Sequence, residues 1–126
     1  MCIRDRISTA HPAFAEAENG IKTDLTKLIQ IKGNQSVESM HRRLGKIMWD
    51  YCGMARNEAG LIKAREMIRE LRKEFWSDLF VPGSVDEFNP ELEKAMRVAD
   101  FIELGELMVV DAVSYTHLTL PTSDLV

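Results

Sequence analysis

Between positions 36 and 56, apolar residues return at every third or fourth place: Val37, Met40, Leu44, Ile47, Met48, Tyr51, Met54 and Ala55. That spacing gathers all of them on one face of a helix with 3.6 residues per turn, whereas a strand would divide them between two faces. Ser36 is a suitable N-cap, and Glu38 in the first turn complements the helix dipole. A helix with one apolar face is stable only against partners, so the rest of the chain must supply them.

It supplies three more helical patterns. The first is expected to start near Pro12, because the N–H that proline lacks is unpaired at that position anyway. Phe14, Ile21, Leu25 and Leu28 form its stripe, Gly33 stops it, and Asn19-Gly20 weakens its middle. Asn57-Glu58 ends the second helix and caps the third, whose stripe is Leu61, Ala64, Ile68, Leu71 and Phe75. Val81-Pro82-Gly83 breaks that run. Asn89-Pro90-Glu91 is an N-cap, a proline at the first helical position and an acid in the first turn.

The fourth helix begins amphipathic, with Leu92, Ala95, Met96 and Ala99, and turns apolar on most sides over positions 101–112. A helix apolar nearly all round needs partners on several faces. Its siblings cover part of it, and missing protein is expected to cover the rest. The period is helical throughout and no stretch alternates as a strand does. The fold class is all-α: an antiparallel bundle of three main helices with one preceding helix.

The two ends depart from this pattern. Residues 1–6 and 113–126 resemble the translated end sequence attached by transposase-based DNA library preparation, with the leader reading as its reverse complement. Residues 1–6 are therefore expected to be a non-native leader and residues 113–126 a non-native tail, leaving 7–112 as a helical domain fragment. The alternative is a genuine C-terminal strand after Ala112. Tyr115 and His117 drop out as site candidates with the tail.

A chain of 126 residues supports one domain. Its 20 acidic and 16 basic residues are interleaved, which gives no electrostatic reason to expect nucleic acid as a partner. No apolar run approaches the ~20 residues of a membrane span. Cys2 and Cys52 suggest no disulfide framework.

Few residues invite a chemical role. His41-Arg42-Arg43 looks like an anion-binding cluster, yet His41 borders the apolar face and reads better as a hydrogen-bonded structural residue. Arg42 and Arg43 read as surface or interface charges. Glu66, Glu70 and Glu74 share a helix face with Arg69 and Lys73 interleaved, which suits a solvated charge face rather than a paired-carboxylate site. Cys52 has no CxxC partner and reads as an inert thiol. Met40, Met48, Met54, Trp49 and Trp76 suit packing. Composition and spacing therefore assign no catalytic, cofactor-binding or metal-binding residue.

Read continuously, SVESMHRRLGKIMWDYCGMAR followed by NEAGLIKAREMIRELRKEFW resembles the helical C-terminal domain of succinate dehydrogenase/fumarate reductase flavoprotein subunits. The later segment FNPELEKAMRVADFIELGELMVVDA resembles the next long helix of the same domain. The resemblance spans residues 7–112 and rests on long collinearity, not on a short catalytic signature. It implies a parent enzyme that holds FAD and interconverts succinate and fumarate. Its partners are the flavin-binding domain of the same chain, an iron–sulfur subunit and a membrane anchor subunit. The implied location is cytoplasmic, peripheral on the inner face of the bacterial plasma membrane. The flavin and substrate motifs of that family lie upstream of the matched region, so this piece is expected to be structural, to bind no FAD and to be inactive alone. L-aspartate oxidase shares the architecture and is a second reading of the parent, although HRRLGKIMWDYCGMAR favours the dehydrogenase. A stand-alone helical interaction module is the reading from another class.

Overall fold

A computed structural model describes residue 8 and residues 10–118, with side chains through residue 114. Its elements are α1 (Pro12–Gln30), β1 (Gln35–Ser36), α2 (Val37–Cys52), α3 (Glu58–Asp78), β2 (Leu79–Phe80) and α4 (Pro90–Leu118). The fold is all-α apart from the two-residue strands.

Each helix begins where its sequence provides a cap. His11 Nδ1 accepts from Ala13 N–H ahead of α1, Ser36 Oγ from Ser39 N–H ahead of α2, and Asn57 Oδ1 from Gly60 N–H ahead of α3. Asn89 Oδ1 accepts from Leu92 N–H at 3.1 Å, while its amide donates to the Pro82 and Ser84 carbonyls and ties the preceding loop to the start of α4. A cap of this kind stabilises a helix by about 1 kcal/mol.

The three main helices run up, down and up. Arg43 on α2 reaches Glu74 near the far end of α3, and Lys63 near the start of α3 lies over Tyr51 near the end of α2, so α2 and α3 are antiparallel. Arg72 meets Glu103 and Arg69 meets Glu106, which makes α3 and α4 antiparallel as well. Alpha helices α2 and α4 consequently run in the same direction. Between them lies a core of Met40, Leu44 and Ile47 from α2, Leu61, Ala64, Ile68, Leu71 and Phe75 from α3, and Leu92, Ala95, Val98, Ile102 and Val109 from α4. Every residue of the α3 stripe is buried. Fully burying a Leu, Ile or Phe side chain stabilises by roughly 1.5–3 kcal/mol, so this seam dominates the stability of the bundle.

The structure corrects three details. First, α2 ends at Cys52, so Met54 and Ala55 are not part of its face and Met54 is fully exposed. Gly53 leaves the helix there, and its carbonyl accepts from Arg56 Nε at 2.9 Å. Second, α1 continues unbroken through Asn19-Gly20, and it ends at Gln30 rather than at Gly33. Only Leu28 of its stripe is fully buried; Phe14 and Ile21 are exposed.

Third, the chain is not helical throughout. Beta strand β1 pairs in parallel with β2, Gln35 opposite Leu79 and Ser36 opposite Phe80. Two-residue strands are too short to produce an alternating pattern, so periodicity does not reveal them. Gly33 belongs to this crossing: its N–H donates to the Leu79 carbonyl at 3.0 Å, and a Cβ there would fall 2.0 Å from the Asp78 carbonyl group. The neighbouring Asn34 N–H donates to Asp78 Oδ1 at 3.0 Å. Because β2 begins directly after Asp78, α3 stops there and not at Val81-Pro82-Gly83.

As the absence of a cap or breaker after Ala112 leads one to expect, α4 runs past Ala112 and continues to Leu118, with Val113 partly buried against the core. No glycine or proline occurs between 106 and 120 to stop it. The expected leader and most of the tail, residues 1–6 and 119–126, lie outside the described residues, as does the side chain of His117.

Candidate functional site

The seams between the main helices differ in chemistry. Ion pairs join α2 to α3 and α3 to α4. Arg43 grips Glu74 through two parallel hydrogen bonds of 2.5 and 2.6 Å, and this grip holds the Glu74 carboxyl below the usual range. Arg72 donates to both oxygens of Glu103 and lies 2.5 Å from Glu106. Arg69 Nε donates to Glu106 at 2.6 Å, and Arg65 approaches it at 3.6 Å. Hydrogen bonding from Arg69, opposed by burial and reinforced by Arg72, lowers the Glu106 pKa. Burial works against the charge on Arg72, and its bonds to Glu106 and Glu103 more than offset this.

The face carrying Glu66, Glu70 and Glu74 is thus only partly a solvated one. Glu74 is spent on Arg43, and Arg69 turns to α4. Glu103 and Glu106 sit inside an otherwise apolar run, which hides them from hydropathy patterning. Their spacing of three opposite Arg65, Arg69 and Arg72 was the available signal.

Among the described residues the α2–α4 seam carries no comparable network, only the attraction of Glu38 for Lys94. His41, exposed at its edge, stacks on Phe101 with ring centroids 5.8 Å apart and planes 26° apart. His41 is therefore held as a structural residue, through ring stacking and not the hydrogen bond expected. Arg42 turns aside to Glu38 on its own helix, so the three residues of His41-Arg42-Arg43 face three different partners. No anion-binding cluster forms.

Beside the stack runs an open groove of about 210 Å³, lined by His41, Leu44, Gly45 and Met48 from α2 and Phe101, Leu104, Gly105 and Met108 from α4. Gly45 has open space where a Cβ would stand. Phe101, Leu104, Leu107 and Met108 are exposed, at 42, 50, 64 and 48%. Trp49 on α2 is 82% exposed, so it does not pack as expected. Of the apolar run in α4, Ile102 and Val109 are buried. The bundle covers one side of that run and leaves the other bare.

Cys52 is a buried free thiol. Among the described residues no group of three or more His, Cys, Asp or Glu side chains is placed to hold a metal. Among the same residues no helix is long and apolar enough to cross a membrane.

The geometry is that of a capped three-helix bundle with one bare apolar seam, and comparison with known proteins says to which family it belongs. The pattern of the fumarate reductase flavoprotein C-terminal region matches residues 41–116, which include α3, most of α2 and nearly all of α4. The chain belongs to this family. It is also similar to an uncharacterised FAD-dependent oxidoreductase of Methanocaldococcus jannaschii, at 34% identity over 93 residues that make up 73% of this chain. The matched stretch spans 17% of the length of that relative.

Proposed function

We propose that this chain is the helical C-terminal part of an FAD-dependent succinate dehydrogenase/fumarate reductase flavoprotein subunit, and that its own role there is structural. The observation that carries the reading is the collinear family match over residues 41–116; the FAD-dependent relative supports it. In this reading the whole protein interconverts succinate and fumarate. It passes electrons through an iron–sulfur subunit to a membrane-anchored quinone site on the inner face of the plasma membrane. In this reading residues 1–6 and the tail beyond the matched stretch are appended sequence.

The residues present do not fit FAD. A dinucleotide needs helix N–H groups open to its phosphates, generally behind a glycine-rich turn. Here one N–H at the start of each of α1, α2, α3 and α4 is already taken by the side chain of His11, Ser36, Asn57 or Asn89, and no glycine-rich turn precedes any of these described starts. In this reading the flavin and the substrate are held by the larger protein, and no chemical step is assigned to this chain.

The test begins with the gene upstream of residue 7. A flavin-binding domain encoded in frame, and a longer product that carries flavin and reduces an acceptor dye with succinate, is the expected result. A start codon directly before residue 7 would sink the proposal. A flavoprotein that oxidised aspartate and not succinate would transfer the reading to L-aspartate oxidase.

A further inference from the structure

Between α2 and α3 lies a cleft of about 350 Å³, within the size range of small-molecule sites. Its floor is apolar: Ile47 and Leu71 are buried and Met67 is half-buried. Its rim is charged, and most of that charge is already neutralised. Arg43 is clamped by Glu74, and Lys46 lies 3.0 Å from Asp50. Glu70 lines the same cleft and, among the described residues, has no ion-pair or side-chain hydrogen-bond partner. The two pairs cancel, so one negative charge is left over above an apolar floor.

We propose that this cleft binds a small amphipathic cation, an ammonium carried on a short aliphatic stem. The stem lies on Ile47, Met67 and Leu71, and the ammonium meets the Glu70 carboxylate. Tyr51 also lines the cleft, and Lys63 stands over its ring at 5.3 Å, the arrangement in which an aromatic face attracts an ammonium. The same ion pairs turn anions away: to reach Arg43 an anion must displace two hydrogen bonds of 2.5 and 2.6 Å from Glu74. An inorganic cation gains only the attraction of one exposed carboxylate, which in water is worth little. Glu70 therefore selects the sign of the charge, and the floor supplies the affinity.

The test is an amide chemical-shift titration of the isotope-labelled 126-residue chain with n-hexylammonium chloride at fixed ionic strength. The amides of Tyr51, Met67 and Glu70 should shift saturably with one common dissociation constant, on the order of millimolar for so small a ligand. Hexanoate, of equal length and opposite charge, and ammonium chloride should give no saturable shift at these positions. Glu70 is exposed, so Glu70→Gln keeps the fold and should weaken binding at least about threefold. Glu66→Gln, one turn away and outside the cleft, should leave binding unchanged. Absence of saturation, equal binding of hexanoate, or equal weakening in the two variants overturns the proposal. A lysine blocked at both its amino and carboxyl ends carries the same ammonium between amide groups and should bind more weakly than hexylammonium. Tighter binding of the blocked lysine would assign the cleft to a side chain of another protein and likewise overturn it.

Discussion

Glu106 stands between Arg69 and Arg72 of the neighbouring helix, 2.6 Å from one and 2.5 Å from the other, with its side chain only 15% exposed. It lies within the most apolar run of α4 and fixes the register of that helix against α3. Apolar side chains alone set registry loosely, because one turn packs much like the next. A carboxylate flanked by two guanidinium groups makes one alignment better than its neighbours.

Glu106→Gln should therefore destabilise the bundle by about 1 kcal/mol, since charge-assisted hydrogen bonds weaken to ordinary ones and partial exposure limits the loss. Glu103→Gln should cost less, because the Glu103 side chain is 62% exposed. Urea unfolding midpoints of the two variants decide this, and equal losses would refute the registry role.

Stability should also fall in acid. The Glu106 and Glu74 carboxyls are both lowered in the folded state by arginine hydrogen bonds. A depressed folded pKa contributes stability that is complete above the unfolded value, about 4.3 for glutamate, and lost as pH falls through the folded one. Melting temperature should be level near neutrality and decline below about pH 4.3, with a shallower decline in Glu106→Gln. An equally steep decline in that variant would contradict the assignment.

Gly33 and Gly45 should respond in opposite directions to alanine. Gly33→Ala drives a Cβ into the backbone of Asp78 and must displace the crossing of β1 and β2, at a cost of about 1–3 kcal/mol. Gly45→Ala meets nothing and should stabilise by roughly 0.5–1 kcal/mol through helix propensity. Paired thermal melts suffice, and a tolerated Gly33→Ala would show that the crossing yields easily.

Ile68 is fully buried at the centre of α3. Ile68→Ala should cost about 2–5 kcal/mol, close to the whole stability of a domain this size. Truncation after Ala112 should cost far less, under about 1 kcal/mol, because Val113 is only partly buried. A collapse on truncation would mean that the end of α4 is native sequence.

The sequence alone determined the helices and most of the core. Period, caps and breakers act within a few residues, so Asn57, Asn89-Pro90 and the stripe Leu61, Ala64, Ile68, Leu71, Phe75 state their roles without reference to distant chain. The family resemblance was legible for a related reason: it resides in a long collinear run rather than in one site. Tertiary structure decided what depends on two segments meeting. Gly33 looked like a helix stop and proved to be a point of backbone contact with Asp78, which adjacent residues do not reveal. Glu103 and Glu106 looked misplaced in an apolar run until α3 brought Arg69 and Arg72 against them. The apolar surplus of α4 was visible in its residues, but which side stays bare was not. That depends on α3 packing against one flank of α4, burying Ile102 and Val109 and leaving Leu104 and Met108 in the open.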